Sequence, residues 1–482
     1  METGRVRWEA IIKMENKKYE LVVLGGGAAA FAAVMKANEL GVKALMINDD
    51  KVGIGGTCVN VGCLPTKHLL YAGELLHKAN NHKFSAIKSS AKINFKKLIE
   101  EKNKLVAKLR NEKYSKVLDS LPNIDFLKAT AKFISKNQIE VNTQKIQAEK
   151  FIIATGSSTY IPQIQGIDKV DYLTNIEALA LKTLPSSMIV LGGGALGVEF
   201  AQMFSRLGTK VCLLQSADRL VPREEPELAR LLQKYLEDEG IEICTNVEIK
   251  SVRQEGKNKI ITALVNNKQK TYKAQALLIA TGRSPNTKNL GLEQTGVKLG
   301  KRGEIIVDTQ MQTSIENIWA AGDVKGEPML ETVAAKEGSI AANNALANQK
   351  KKMDYDLVPH AVFTDPQLAG VGKTDEEVIK GGIRCICGTI PFELVPKAQA
   401  IKDTRGAIKL VLNNDTKQIL GVHILSPNAA ELIHEGAMIV KNKMTIHDVI
   451  DTLHVFPTMS EAIKIAAQSF VRDIKNMSCC VE

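Results

Sequence analysis

Two thiols carry the strongest chemical signal in this sequence. Cys58 and Cys63 lie five positions apart in the stretch Gly55-Gly56-Thr57-Cys58-Val59-Asn60-Val61-Gly62-Cys63-Leu64-Pro65-Thr66-Lys67. Such a pair can bridge only where the backbone bends tightly, and the flanking glycines permit that. Pro65 suits the first turn of a helix. A thiolate near a helix start is stabilised by the aligned amides. The chemistry on offer is reversible thiol–disulfide exchange, and we read the pair as redox-active. The blander alternatives are a buried cysteine pair or half of a metal site. Zinc usually takes shorter spacings and more ligands, and none are evident nearby.

A second pair closes the chain, in Met477-Ser478-Cys479-Cys480-Val481-Glu482. A chain end not tied into the fold can carry something to a buried site. Soft thiolates select soft metal ions. The plain alternative is an accidental surface pair prone to oxidation. Ile383, Cys385 and Cys387 stand at alternate positions, so a strand puts both thiols on one face, which we read as core packing rather than a metal site. With Cys212 and Cys244 the cysteines number eight in 482 residues, too sparse for a disulfide scaffold.

These thiols need a framework, and the sequence supplies one pattern twice. Glu20–Leu24 reads as a buried strand, followed by Gly25-x-Gly27-x-x-Ala30, an apolar helix through Leu40 and a strand from Val42 to Ile47. That is a dinucleotide-binding βαβ unit. The first glycine permits the turn, the second lets backbone approach a pyrophosphate, and the small third residue lets helix and strand pack closely. The phosphate then lies at the helix N-terminus. Downstream, the strand Met188–Leu191 leads into Gly192-x-Gly194-x-x-Gly197, a helix to Leu207 and the strand Lys210–Leu214. Two further strands, Phe151–Ala154 and Leu277–Ala280, each run into Thr-Gly: Thr155-Gly156 and Thr281-Gly282. Any one of these could be a plain glycine turn; four in order favour two dinucleotides in two similar domains. An acidic residue usually ends the second strand to hold a ribose 2′-hydroxyl. In the second unit that place holds Gln215, with Arg219 nearby, which favours NADPH over NADH because a guanidinium can pair with a 2′-phosphate. The alternative for Arg219 is a solvent-facing loop residue. In the first unit the corresponding residue is Asn48.

Composition is that of an ordinary globular chain, 44% hydrophobic and 24% charged, with length for about three domains. The net charge of +11 is diffuse. Its main local concentration, Lys96–Lys116, interleaves Leu98, Leu105, Val106 and Leu109, so it reads as the solvated face of a helix rather than a nucleic-acid patch. Residues 1–17 mix charges of both signs and read as a tail, not a secretory signal, with Met14 a possible second start. The uncharged runs Leu21–Met35 and Phe151–Ile167 are too short and too interrupted for a membrane span. No nucleic-acid or membrane partner is expected, and the cytoplasm is the default location.

Taken together, these motifs resemble the pyridine nucleotide–disulfide oxidoreductase family over nearly the whole chain from Lys18. The stretch Thr313–Asp323, ending Trp-Ala-Ala-Gly-Asp, the segment Gly282-Arg-Ser-Pro-Asn286 and the segment Phe363-Thr-Asp-Pro-Gln367 add to the likeness. The resemblance implies an α/β fold. It has two Rossmann-like dinucleotide-binding domains, for FAD and NADPH, and a C-terminal α+β dimerisation domain. The boundaries expected are 18–155 with 285–355 for FAD, 156–284 for NADPH and 356–482 for dimerisation. By the same resemblance Gly25, Gly27, Ala30, Asn48, Gly56, Thr57, Lys67, Thr155, Gly156 and Asp323 hold FAD. Gly192, Gly194, Gly197, Gln215, Arg219 and Gly282 hold NADPH. Cys63 contacts the flavin, Cys58 faces substrate, and Lys67 pairs with Glu199 beside the flavin. Asn48 departs from the family's usual glutamate, although an amide still hydrogen-bonds a ribose.

Disulfide-reducing members carry a histidine base in a His-Pro-Thr segment, because the attacking thiol must lose a proton and the thiolate released from the disulfide must gain one. Here the segment reads His454-Val455-Phe456-Pro457-Thr458-Met459-Ser460-Glu461, with Phe456 in the base's place. Phenylalanine transfers no proton. His454 is either a displaced base or, the reading we favour, a packing histidine. Reduction of a metal ion needs no proton for a leaving thiol. The lost base and the terminal Cys479-Cys480 therefore resemble the mercury-reducing branch of the family. This implies Hg(II) as substrate, bound by Cys58, Cys63, Cys479 and Cys480. The tail thiols would act at the partner subunit's active site in a homodimer. Two departures stand out: that branch commonly has tyrosine at the Phe456 position, and the resemblance carries no expectation here of its N-terminal metal-binding domain with its own Cys-x-x-Cys. The rivals are a thioredoxin-reductase-like or lipoamide-dehydrogenase-like enzyme and, outside catalysis, a thiol metal buffer.

Overall fold

The apolar run ahead of the first glycine turn forms the strand Lys18–Leu24, paired in parallel with Ala44–Asn48 and with Gln144–Ile153. The computed structural model describes residues 18–474. The chain divides into two compact units. Among the described residues, one takes in 18–65 with Glu100–Tyr160 and Gly282–Asp354; the other takes in Thr66–Ile99, Ile161–Thr281 and 355–474.

In the first unit the sheet runs in the order Ile124–Lys128, Ala44–Asn48, Lys18–Leu24, Gln144–Ile153, Gln138–Val141, Ala131–Ser135, with Ile318–Ala320 also on Gln144–Ile153. Its central strands are apolar on both faces, as strands covered on both sides must be. Val22, Leu24, Phe151 and Ile153 pack into one core, while Leu21, Val23, Met46 and Ile152 face the other. That second core is closed by the alanine-rich helices Ala28–Glu39 and Glu331–Ala347, whose small side chains permit close approach. Gly56 shows what the glycines in the cysteine motif are for. Its φ is +69°, and a Cβ there would come within 2.7 Å of the Gly27 Cα. The start of the cysteine-bearing helix Gly56–Val61 can therefore lie directly against the first glycine turn.

In the second unit a parallel sheet runs Glu242–Cys244, Lys210–Leu214, Ser187–Leu191, Ala276–Ile279. The helix Ala195–Leu207 follows the second glycine turn. Here Gly197 is required by close approach: a Cβ would lie 1.8 Å from the Gly192 carbonyl oxygen. The same unit holds a three-stranded antiparallel sheet (Val247–Glu255, Asn258–Val265, Lys268–Ala274). It also holds a five-stranded antiparallel sheet, ordered His360–Val362, Gln367–Gly372, Ile419–Ser426, Ala407–Asn413, Cys385–Pro391. The helices Ala429–Lys441 and Glu461–Gln468 bury their apolar faces on that sheet. The basic stretch read as a solvated helix is the helix Phe95–Arg110, which continues into a π-helical turn at Asn111–Ser115.

One buried ion pair secures the turn that carries Asp323. Glu337 is fully buried; its Oε2 accepts the Gly322 N–H at 2.8 Å, and its Oε1 lies 3.1 Å from the Lys325 Nζ. Removing one partner of a buried pair strands the other charge. Glu337→Ala is expected to lower stability by about 3–5 kcal/mol, read from urea unfolding of the holoprotein. An unchanged midpoint would show the pair to be structurally idle.

Candidate active site

The first glycine turn sets the geometry around Cys58. The Gly55 N–H donates to the Gly26 carbonyl at 2.8 Å, which ties the cysteine motif to the turn after Lys18–Leu24. Helix Gly56–Val61 then presents Thr57 and Cys58, and Cys63 opens the next helix, Cys63–Asn81, with Pro65 in its first turn. Both cysteines are free thiols, Cys58 half-buried and Cys63 exposed. Cys58 is pushed well above the usual thiol range. The main cause is its hydrogen bond to Cys63, followed by burial and by the charges of Cys63 and Glu331. These surroundings favour the protonated form of Cys58, while Cys63 stands at the start of the helix Cys63–Asn81.

Sequence reasoning missed the group on the other side of Cys58. Glu331, first residue of the helix Glu331–Ala347, accepts a hydrogen bond from the Cys58 thiol. Burial raises its carboxyl above the ordinary range, Asp323 adds to the rise, and the bonds from Cys58 and Tyr114 oppose it. The Tyr114 hydroxyl lies 3.5 Å from Glu331 Oε1. Tyr114 belongs to the π-helical turn, and its ring meets Phe31 edge-on at 5.0 Å. Burial and the neighbouring Glu331 and Cys58 push its phenol up to about 12. The only sequence signals were an acid opening a helix soon after Asp323 and a tyrosine amid lysines.

Asp323 itself is held by neighbours. The Ser157 hydroxyl donates to Asp323 Oδ2 at 2.5 Å, and Arg283 donates to the Ser157 hydroxyl and carbonyl, each at 2.6 Å. Thr155 donates to the Asn286 carbonyl at 2.8 Å, and Gly156 accepts the Asn286 N–H at 2.9 Å. Asn48 ends the strand Ala44–Asn48 beside Gly26, and its Nδ2 is buried with no hydrogen-bond partner. A stranded donor is costly, and at this place a ribose hydroxyl would satisfy it. Gly25, Gly27 and Ala30 form the adjoining turn and helix start. These residues fit the FAD expected from the sequence.

In the second unit, Lys67 Nζ reaches both oxygens of Glu199, at 2.8 and 3.0 Å. Glu199 is buried and also accepts the Phe363 N–H at 2.9 Å, while the Lys67 ammonium lies 4.4 Å from the Phe363 ring centroid. Gly192, Gly194 and Gly197 shape the turn before Ala195–Leu207, and open space lies where a Gly194 side chain would stand, as a nucleotide cradle requires. Gly282, which belongs to the first unit, likewise has no atom near its missing side chain. Gln215 folds under the turn: its Oε1 accepts the Gly193 N–H at 3.0 Å and its Nε2 donates to the Arg219 carbonyl at 3.2 Å. Arg219 is largely buried rather than solvent-facing. Its Nη2 donates to the Pro222 carbonyl at 3.1 Å and lies 3.9 Å from Glu376, and its Nε is buried without a partner.

At the far end of the chain, His454 is engaged locally. Its Nε2 lies 2.7 Å from Glu435 Oε1 and its Nδ1 3.0 Å from the Thr452 carbonyl. The hydrogen bond that His454 donates to Glu435 raises its pKa against the opposing effect of burial. Phe456 is about half exposed, beside the exposed Leu453 and Val455. Glu461 accepts the Thr458 N–H at 3.1 Å. A histidine raised in the folded state contributes stability that is fully present below its unfolded pKa of about 6.5. That stability fades as pH rises through the folded value. His454→Gln is therefore expected to destabilise by about 0.2–1 kcal/mol at pH 5.5, the range for exposed ion pairs, and by less at pH 9. A cost independent of pH would contradict the pairing. Cys479 and Cys480 lie outside the described residues. Among the described residues, no group of three or more His, Cys, Asp or Glu side chains is placed to hold a metal ion. No helix among them is long and apolar enough to cross a membrane.

Comparison with known proteins identifies the chain's relatives. The sequence pattern described as "Pyridine nucleotide-disulphide oxidoreductase" matches residues 19–338, and that of the family's dimerisation domain matches residues 358–467. The chain is 40% identical to the mercuric reductase of Lysinibacillus sphaericus over 472 residues, 98% of this chain and 86% of that one. It is 40% identical to the mercuric reductase of Staphylococcus aureus over 463 residues, 96% of this chain and 84% of that one. Among solved structures it is similar to the Cu(II) complex of the HOCl-induced flavoprotein disulfide reductase RclA from Escherichia coli. The TM-score there is 0.84, with 31% identity, covering 95% of this chain and all of that one.

Proposed function

The chain belongs to the pyridine nucleotide–disulphide oxidoreductase family, and from that premise we propose that it is an NADPH-dependent reductase of Hg(II), acting through the Cys58–Cys63 pair. The single observation that carries this reading is Phe456 in the place of the base, joined to full-length similarity to curated mercuric reductases. FAD and a nicotinamide nucleotide are the cofactors. When bound, the flavin supplies two-electron transfer between the nicotinamide and the thiol pair.

The chain's own residues divide the remaining work. In this reading Asn48 and Asp323, with Gly25, Gly27, Ala30, Gly56, Thr57, Thr155 and Gly156, hold FAD in a domain made of 18–155 and 285–355. Gly192, Gly194, Gly197, Gln215, Arg219 and Gly282 hold NADPH in 156–284. The Lys67–Glu199 pair keeps one ammonium fixed in place. Cys63 carries the thiolate, and Cys58 faces the metal and gives up its hydrogen bond when a metal takes its sulfur. Residues 356–482 include the dimerisation domain, and the exposed apolar run Leu453, Val455 and Phe456 suits a surface that a second subunit covers. We place the active sites at that subunit interface, with Cys479 and Cys480 delivering Hg(II) across it, and the enzyme in the cytoplasm.

A substrate panel tests the reading. Hg(II), oxidised glutathione, lipoamide and thioredoxin are each supplied with NADPH under excess thiol. Hg(II) alone should drive sustained NADPH oxidation; efficient turnover of a disulfide in its place would overturn the assignment. Cofactor choice is tested separately. A 2′-phosphate on Arg219 is worth about 1.5–3 kcal/mol, the range for hydrogen bonds to charged groups, or roughly 10- to 150-fold in kcat/KM. Arg219→Ala should lose that preference for NADPH over NADH. In the free protein the guanidinium is held by Pro222 and lies near Glu376, so the gain is expected towards the lower end. Equal use of both nucleotides by parent and variant would remove Arg219 from the site.

A further inference from the structure

Cys385 and Cys387 were expected in the core, and the structure places them elsewhere. They begin the edge strand Cys385–Pro391, paired with Ala407–Asn413. Side chains alternate along a strand, so Ile390, which packs in the core, and Gly388, which lies against the Phe470 ring, share one face. The two cysteines and Thr389 share the opposite face. That face is polar. Thr389 donates to Glu227 at 2.8 Å, and across the ladder Lys409 bonds Glu225 and Asp375, each at 2.6 Å. Both thiols are half-buried, and their sulfurs lie 4.0 Å apart.

We propose that Cys385 and Cys387 form a binding site for one soft, two-coordinate cation of the Hg(II) class, separate from Cys58 and Cys63. A disulfide is a poor outcome for this pair. Residues two apart in a strand have Cα atoms about 6.6–6.8 Å apart, at the upper limit of disulfide geometry. A cation held in line between two sulfurs suits the spacing better. It sets them about 4.6 Å apart at the zinc–thiolate bond length, so a small rotamer change converts the observed 4.0 Å into a fit. With just two thiolates the site selects soft ions over hard ones. Loading is a ligand exchange. A metal bis-thiolate gives up two thiolates, each takes one proton from Cys385 or Cys387, and two metal–sulfur bonds replace the two broken. The metal stays in the +2 state and no electron moves.

The test needs no NADPH, so its outcome is independent of whether the enzyme reduces Hg(II). A FAD-loaded protein carrying Cys58→Ser, Cys63→Ser, Cys479→Ser and Cys480→Ser is equilibrated with Hg(II) as its bis-cysteine complex and examined by native mass spectrometry. One Hg(II) per subunit is expected. Adding Cys385→Ser or Cys387→Ser should each remove it entirely, because the site requires both sulfurs. No retained metal in the first protein, or metal retained after either added change, overturns the proposal. Bound flavin reports whether these variants fold. If they do not, alkylation of the unsubstituted enzyme followed by peptide mapping decides instead. Hg(II) should protect Cys385 and Cys387 together, and an unchanged rate at either counts against the site.

Discussion

Replacing Cys63 by alanine is expected to abolish the long-wavelength absorbance that appears when the holoenzyme takes up two electrons, whereas Cys58→Ala should retain an absorbance of this kind. The argument starts from the two thiols' unequal surroundings. The single S–H proton of Cys58 has Cys63 and Glu331 as alternative acceptors, and Cys58 is partly buried, all of which favour its protonated form. Cys63 is one of those acceptors and opens the helix Cys63–Asn81, where aligned amides favour negative charge. The thiolate that pairs electronically with the flavin should therefore be Cys63. Turnover of Hg(II) should fall by about three orders of magnitude or more in either variant. The double variant should fall little further, because residues that act as a unit are not additive. Identical spectra from the two single variants would show the roles to be misassigned. Glu331→Gln gives a finer reading: it keeps the shape and removes the charge beside Cys58, so the band should survive with altered intensity while Cys63→Ala still abolishes it.

What was legible in the sequence follows from how local each signal is. The two glycine turns and their strands were readable because short-range sterics impose them: Gly197 has no room for a side chain, and the strands on either side are apolar on both faces. The cysteine motif was readable for the same reason, since Gly56 must lie against Gly27. The glutamate beside Cys58 was not. Glu331 lies more than two hundred and seventy positions away from Cys58 in the chain, and only the close packing of the alanine-rich helices brings the start of its helix to the cysteine motif. Tyr114 was hidden in a stretch whose lysines announce a solvated face, because one π-helical turn re-aims a single residue of it inward. Arg219 was read as a candidate phosphate ligand from its type and position. Sequence could not show that its guanidinium is already held by the Pro222 carbonyl. Cys385 and Cys387 were placed correctly on one strand face, but which face meets the core depends on register with Ala407–Asn413, a long-range fact.

The terminal thiols should matter most when Hg(II) arrives already bound to competing thiols. Under excess cysteine or glutathione, the Cys479→Ala/Cys480→Ala enzyme is expected to lose about 10- to 100-fold in kcat/KM, the kind of gain that a second tethered ligand pair provides through effective concentration. With weakly complexed Hg(II) the loss should shrink, because ligand exchange no longer limits the rate. Reduction of the flavin by NADPH, followed by stopped flow, should be unaffected in either case, since the tail is asked only to hand over metal. Delivery to the partner subunit makes a sharper demand. A mixed dimer combines a Cys479→Ala/Cys480→Ala subunit with a Cys58→Ala/Cys63→Ala subunit. It contains one intact thiol pair of each kind, on different chains, and should recover close to half the parent activity per dimer. Tails serving their own subunit would leave that dimer as slow as the tail-deficient enzyme. Full parental rate in the tail-deficient homodimer under excess thiol would reject the relay altogether. His454 and Phe456 would then be the next places to look for the metal's entry, because Phe456 stands where the family has its base and His454 lies two positions before it.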